Sequence, residues 1–239
     1  MRKTYDLLYR HYGPQHWWPA DSPFEVMVGA ILTQNTAWSN VESAIANLRK
    51  KRCLDPERIV TERPERLAHW IKPSGYFNIK AKRLQNYCRW YLEQGGWDAL
   101  SKQPTSRLRH ALLSVNGIGP ETADDILLYA FGRPVFVIDA YTRRLFSRLG
   151  MIRGDEAYET LRTRFETELG TEDPRLFNEY HALIVRHAKE ACRKRADCSR
   201  CCLASNDHCP QPQRTHSSPD GPATAPECFS GKPRDDGTR

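Results

Sequence analysis

The sequence predicts an all-α fold, and three observations carry that expectation. Apolar residues recur at helical spacing through nearly the whole chain, as at Val41, Ala44, Ile45 and Leu48. Two such runs meet across Asn116-Gly117-Ile118-Gly119, a connection that suits only a tight hairpin of helices. The one β-branched, strand-like run is short, at residues 134–138, and no repeat or other strand-rich region accompanies it.

The chain has 239 residues and a formal net charge of +7. Within residues 211–239 the charges of Arg214, Lys232, Arg234 and Arg239 cancel those of Asp220, Glu227, Asp235 and Asp236, so the excess belongs to the preceding part. A polyanionic partner fits that excess, and so does plain surface charge for solubility. No apolar run is long enough for a membrane span and no apolar signal core opens the chain. A soluble cytoplasmic protein, monomeric and with no membrane partner, is the expectation.

In chain order, a short helix with Tyr5, Leu7, Leu8 and Tyr12 precedes Trp17-Trp18-Pro19, where the indoles either pack on the core or line a pocket and Pro19 ends the segment. A helix from Pro23 to Leu32 runs into Thr33-Gln34-Asn35-Thr36, and the next spans residues 37–51, with Trp38 at its start as core or mouth. Residues 52–104 read as two or three more amphipathic helices, including a basic one after Pro73-Ser74-Gly75 that carries Lys80, Lys82 and Arg83, by default a solvated face.

The hairpin follows. Gly117 and Gly119 tolerate positive φ, Pro120 suits a first helical position, and free N–H groups there can grip an anion. An unliganded helix-loop-helix turn remains the plain alternative. Val135-Phe136-Val137-Ile138 then delivers Asp139 to a helix over residues 141–149 that Gly150 ends. Asp139 reads as a helix N-cap and as a carboxylate facing a cleft; one oxygen can do each. Two more helices are expected over residues 155–170 and 173–191. From Pro210 the composition turns to Pro, Ser, Gly and Thr without periodicity, and residues 210–239 are expected to be disordered.

Of eight cysteines, five lie within residues 192–209, spaced Cys192-x5-Cys198-x2-Cys201-x7-Cys209 with Cys202 as an alternative third ligand. Such crowding points to a metal rather than a disulfide framework. Four thiolates suit a [4Fe–4S] cluster or zinc, and the presence of a single Cys-x-x-Cys pair favours iron–sulfur.

Gly-Ile-Gly-x-Glu-Thr-Ala-Asp followed by Val-Ile-Asp-Ala-Tyr resembles the helix-hairpin-helix and catalytic aspartate of the endonuclease III superfamily of base-excision DNA glycosylases. Trp-Trp-Pro, Leu-Thr-Gln-Asn-Thr and Pro-Ser-Gly-Tyr-Phe-Asn-x-Lys-Ala-Lys-Arg-Leu resemble its 3-methyladenine DNA glycosylase III branch. The resemblance implies a two-lobed fold. One lobe would be a helical barrel, residues 24–132; the other would combine residues 1–23 with 133–209 and carry the cysteine loop. It also implies double-stranded DNA with an everted damaged base as partner, and hence association with the nucleoid.

Residue roles come with the resemblance. Gly117, Ile118, Gly119 and Lys80 would contact DNA, Gln34 would fill the gap left by the everted base, and Asp139 would be catalytic. Trp18 and Trp38 would form an indole sandwich around the base, with Glu121 and Lys189 beside it. Cys192, Cys198, Cys201 and Cys209 would hold a [4Fe–4S] cluster, although their spacing departs from the family's commonest x6, x2, x5. Bifunctional members carry a lysine where this chain has Glu121, and glutamate cannot form an imine. The expectation is a monofunctional enzyme acting on alkylated purines. The rivals are a glycosylase/AP lyase for oxidised or mismatched pyrimidines, a non-catalytic iron–sulfur DNA-binding protein, and a zinc-stabilised interaction module.

Overall fold

The computed structural model describes residues 1–18, 20–170, 173–204 and 208–210. Pro19 and residues 211–239, on which the expected segment end and most of the expected disordered tail fall, lie outside the described residues.

Among the described residues twelve α-helices follow one another. They are α1 (Arg2–Tyr12), α2 (Pro23–Leu32), α3 (Trp38–Lys50), α4 (Pro56–Thr61), α5 (Pro64–Trp70), α6 (Phe77–Glu93), α7 (Gly96–Leu100), α8 (Thr105–Leu113), α9 (Pro120–Asp125), α10 (Ala140–Arg148), α11 (Tyr158–Leu169) and α12 (Pro174–Glu190). A π-helical turn, Ile126–Ala130, continues α9. Among the described residues there is no strand, and no helix is long and apolar enough to cross a membrane.

α2 is the pivot. Ser22 caps it by accepting from Glu25 N at 3.2 Å, with Pro23 at its first turn. Every residue from Glu25 to Leu32 is buried, so the helix is surrounded on all sides. α3, α6, α9 and the π-helical turn pack against it. α4 and α5 lie on α6, while α1 and α10 lie on α12, which in turn reaches the π-helical turn. The aromatic cluster Phe136, Phe146, Phe165, Phe177 and Tyr180 fills the space beside α10, α11 and α12.

The run 134–138 is not a strand. It has no regular secondary structure, residues 135–138 are buried, and two of its amides find side chains instead of a neighbouring strand, while Val135 N donates to Arg133 O at 2.9 Å. Phe136 N donates to Glu166 Oε1 at 2.9 Å and Ile138 N to the Tyr158 hydroxyl at 3.3 Å, both from α11. The hairpin connection is also longer than expected: α8 ends at Leu113, so Ser114 to Gly119 join it to α9. Within it only Gly117 adopts a positive φ, 101°, whereas Gly119 is extended.

Candidate active site

Asp139 stands at the head of α10. Its Oδ1 accepts from Thr142 N at 2.7 Å and its Oδ2 lies 3.4 Å from His181 Nε2, so the carboxylate both caps the helix and faces outward. Burial opposes its charge, but His181 and the bonds from Thr142 win and hold the carboxyl below the usual range. His181 is fixed from behind through a hydrogen bond between its Nδ1 and the Tyr129 hydroxyl. The buried run 135–138 is what brings Asp139 here, to the gap between α9 and α12.

That gap is a cleft of about 570 Å³. Trp17, Trp18 and Trp38 wall one side, Glu121 and Asp125 rise from α9, and His181, Val185 and Lys189 line it from one face of α12. Trp18 and Trp38 meet edge to face, ring centroids 4.7 Å apart at 86°, and Trp18 also packs on Tyr129 at 5.0 Å. No slot separates the two indoles, so the expected sandwich between them does not form. Gly29 makes their position possible: a Cβ there would stand 3.1 Å from Trp18 and 3.4 Å from Trp38. The Lys189 ammonium sits 5.9 Å from the Trp17 ring centre and 6.0 Å from that of Tyr141, within cation–π range.

Three carboxyls share the cleft, and their surroundings drive them apart. Glu121 opens to solvent at the mouth, yet crowding by the protein and the nearby Asp139 charge push its carboxyl up to about 7. Asp125 is 6% exposed, and burial together with Glu121, Asp139 and Asp124 raises its carboxyl well above the usual range.

The hairpin lies next to this cleft. Gln34 Nε2 donates to Gly117 O at 3.2 Å and to Thr122 Oγ1 at 2.9 Å, and Arg83 donates to Gln34 Oε1. Gln34, Arg83, Gly117, Gly119 and Pro120 line a second groove, with Glu121 common to both. Arg109 on α8 fastens the hairpin from below, its Nε donating to Asp124 Oδ1 at 2.7 Å.

Two expected DNA contacts are corrected. Lys80 is 1% exposed; its Nζ donates to Leu32 O at 2.8 Å and Ser74 O at 2.6 Å, closing the C-terminal end of α2. Burial and the Arg83 charge lower its ammonium to about 8. Ile118 is buried, and its N–H goes to Val115 O at 3.0 Å, so it anchors the hairpin instead of offering a donor outward.

The cysteine loop is fastened by α10 and α12. Arg144 donates to Cys192 O at 2.9 Å, and Arg148 reaches Cys192 Sγ at 3.3 Å and Arg193 O at 2.7 Å. Cys209 Sγ lies 3.8 Å from Arg148 O, and Cys201 Sγ lies 3.5 Å from His187 Nε2. Cys201 also feels Cys192 and Cys209 electrostatically. Among the described residues no three His, Cys, Asp or Glu side chains are grouped to hold a single metal ion.

Asp139, Glu121, Lys189 and two of the three indoles of the cleft, Trp18 and Trp38, were legible in the sequence as site residues, but Asp125, Tyr129 and His181 were not. A signal existed for two of these: Asp125 is one helical turn from Glu121, and His181 is two turns before Lys189. Tyr129 had none, because its side chain direction depends on the π-helical turn.

The HhH-GPD superfamily base excision DNA repair model matches residues 28–170. A Methanocaldococcus jannaschii protein provisionally named DNA repair glycosylase is 48% identical over 202 residues, covering 83% of this chain and 91% of that one. Endonuclease III of Sulfolobus acidocaldarius is 29% identical, over 78% and 81% of the two chains. Among solved structures, H. pylori 3-methyladenine DNA glycosylase bound to 1,N6-ethenoadenine has a TM-score of 0.66 at 31% identity, covering 79% of this chain and 94% of that one. A non-covalent endonuclease III–DNA complex is similar in fold, with a TM-score of 0.73 at 20% identity over 88% and 94%. From the hairpin, the placed aspartate and these matches together, the chain is a member of the HhH-GPD superfamily of base excision DNA repair proteins, with an endonuclease III-like architecture.

Proposed function

We propose that this protein is a monofunctional DNA glycosylase that hydrolyses the N-glycosidic bond of alkylated purines of the 3-methyladenine type in double-stranded DNA. One observation carries the reading: Asp139 keeps its charge while buried, with one oxygen committed to Thr142 and the other facing an aromatic-walled cleft beside the hairpin. The cleft size lies in the range of small-molecule sites.

Reaching the bond requires the nucleotide to leave the stack. In this reading the hairpin backbone around Gly117 and Gly119 grips phosphate, Gln34 takes the vacated space, and the base enters the cleft. The lobes 24–132 and 1–23 plus 133–209 would flank the DNA. Asp139 then stabilises the oxocarbenium-like sugar and orients the attacking water. A cationic base is drawn by the Asp139 charge and by aromatic faces, the latter an attraction of roughly 0.5–2 kcal/mol per contact. It is already a good leaving group. Glu121 at the mouth supplies no amine, which supports hydrolysis without strand cleavage.

The donor set of the C-terminal loop, four thiols within 18 residues fastened by Arg144, Arg148 and His187, fits a thiolate-held group. Cys192, Cys198, Cys201 and Cys209 would hold a [4Fe–4S] cluster, which spreads its thiolates more widely than one zinc ion does. When bound it would organise the loop and lend no chemistry to Asp139.

The test uses the full chain and two duplexes, one methylated to contain 3-methyladenine and one containing thymine glycol or uracil, scored for free base and for borohydride-trapped complex. Release of 3-methyladenine with no trapped complex is expected. Release of a pyrimidine instead, or efficient trapping, would overturn the substrate or the monofunctional part of the reading.

A further inference from the structure

Asp125 is unlike the other polar groups of the cleft. It is 6% exposed, it lines the cavity, and no described residue donates a hydrogen bond or offers a cation to its carboxyl. Its electrostatic neighbours, Glu121, Asp124 and Asp139, are all acidic. Isolated buried carboxylates are too costly to persist, so such a group keeps its proton and becomes a hydrogen-bond donor as well as an acceptor. Leaving both capacities unused inside a folded protein is also costly, unless something that enters the cavity uses them. Asp139 and Glu121 do not compete for this role: the first is committed to Thr142 and His181, and the second stands at the open mouth.

We propose that Asp125 forms the floor of the base pocket and reads, through one carboxyl acting as donor and acceptor at once, a purine edge that presents an amino group beside a ring nitrogen. This inference rests on the glycosylase reading above and adds a specificity-determining residue to it. The pairing is bidentate: the acid O–H donates to the ring nitrogen, and the acid carbonyl accepts from the amino group. Adenine-type bases carry that edge and unsubstituted purine does not. The aromatic wall accepts either, so discrimination falls to Asp125.

The experiment measures quenching of the cleft tryptophans by free adenine and by free purine, with wild-type protein, Asp125→Ala and Asp125→Asn. Wild type is expected to bind adenine more tightly by roughly ten- to a hundredfold, the range for a good bidentate base contact. Asp125→Ala should bind the two bases alike, and Asp125→Asn, whose amide still donates and accepts, should keep a preference. A second readout separates recognition from packing. Wild-type affinity for adenine should fall as pH rises and the acid gives up its proton, while Asp125→Asn stays flat. The groups facing Asp125 are Glu121 and Asp124 on its own helix and Asp139 and Tyr129 from elsewhere, so the profile is repeated with Glu121→Gln to remove the other raised acid.

An unchanged adenine preference in Asp125→Ala overturns the proposal. If that variant does not fold, the Asp125→Asn profile decides alone: flat supports the proposal, wild-type-like overturns it. Base release from methylated duplex separates the two levels of failure. If release persists in Asp125→Ala together with the adenine preference, only the role of Asp125 falls. If wild type releases no base and binds neither purine, the glycosylase reading falls and this inference with it.

Discussion

His181 Nε2 stands 3.4 Å from Asp139 Oδ2, and the Tyr129 hydroxyl holds the opposite side of the same imidazole. Thr142 on α10 and His181 on α12 thus set the charge of one carboxylate, and Tyr129 on the π-helical turn holds the imidazole in place. Replacing Asp139 with Asn keeps the helix cap but removes that charge, so base release should fall by at least roughly a hundredfold, the cost of losing a positioned charge or base. Affinity for damaged duplex, measured by gel shift, should persist.

His181→Ala leaves Asp139 buried without the partner that holds its carboxyl low. The acid limb of the pH–rate profile should move upward, with activity lost at pH values where wild type is still active. An unmoved limb would mean that Thr142 alone sustains the charge.

Glu121 gives a stability prediction of opposite sign. Its carboxyl is raised from 4.5 to about 7, so the folded protein holds a proton that the unfolded chain has already released. Stability should fall as pH rises through that window and stay lowered above it. Glu121→Gln does not titrate there, so its melting temperature should pull ahead of wild type between pH 4.5 and 7 and keep the lead at pH 8. Solvent at the mouth keeps the gap small.

Gly117→Ala should damage the hairpin. The φ of 101° disfavours any side chain, and a Cβ would fall 2.3 Å from Arg83 Cγ. The loss should exceed about 1 kcal/mol, and the displaced Arg83 should release Gln34. Thermal melting and DNA affinity should drop together.

Arg109→Ala strands Asp124, whose side chain is fully buried. Removing one partner of a buried pair costs about 3–5 kcal/mol, and the lower end applies because Arg162 Nε remains 3.9 Å from Asp124 Oδ2. Chemical denaturation should show the loss.

The longer helices were legible because they combine an apolar period with a local stop or start. Residues 52–104, read as two or three helices, hold four, α4 to α7, of which α4, α5 and α7 are too short to show a period. Pro23–Leu32 was readable to the residue from the stripe Phe24, Met27, Val28 and Ile31, and the structure adds the Ser22 cap and Pro23 that start it. The hairpin and Asp139 were legible as motifs. The inside of the cleft was less so, because a basic run such as Lys80-Ala81-Lys82-Arg83 does not disclose which ammonium turns inward; only the stretch Ala81 and Leu84 on the same buried face hinted at it. The run 134–138 looked like a strand because β-branching reports burial rather than pairing, and its partners lie on α11, more than a dozen residues away. The two indoles were legible as pocket candidates, but their edge-to-face contact depends on the space left by Gly29, a relationship that no spacing encodes.

Gln34 is bound to its own hairpin through Gly117 O and Thr122 Oγ1. Any outside partner must therefore exchange with these bonds and with the one that Arg83 donates to Gln34 Oε1, and each new contact yields a difference rather than a full gain. In return the side chain starts from one ordered conformation, so little rotamer freedom remains to be lost on association. In the proposed reading the hairpin is a latch that keeps the amide cocked: encounter with intact duplex should leave it closed, and release should become a distinct kinetic step, visible as a slow phase after rapid mixing with damaged DNA.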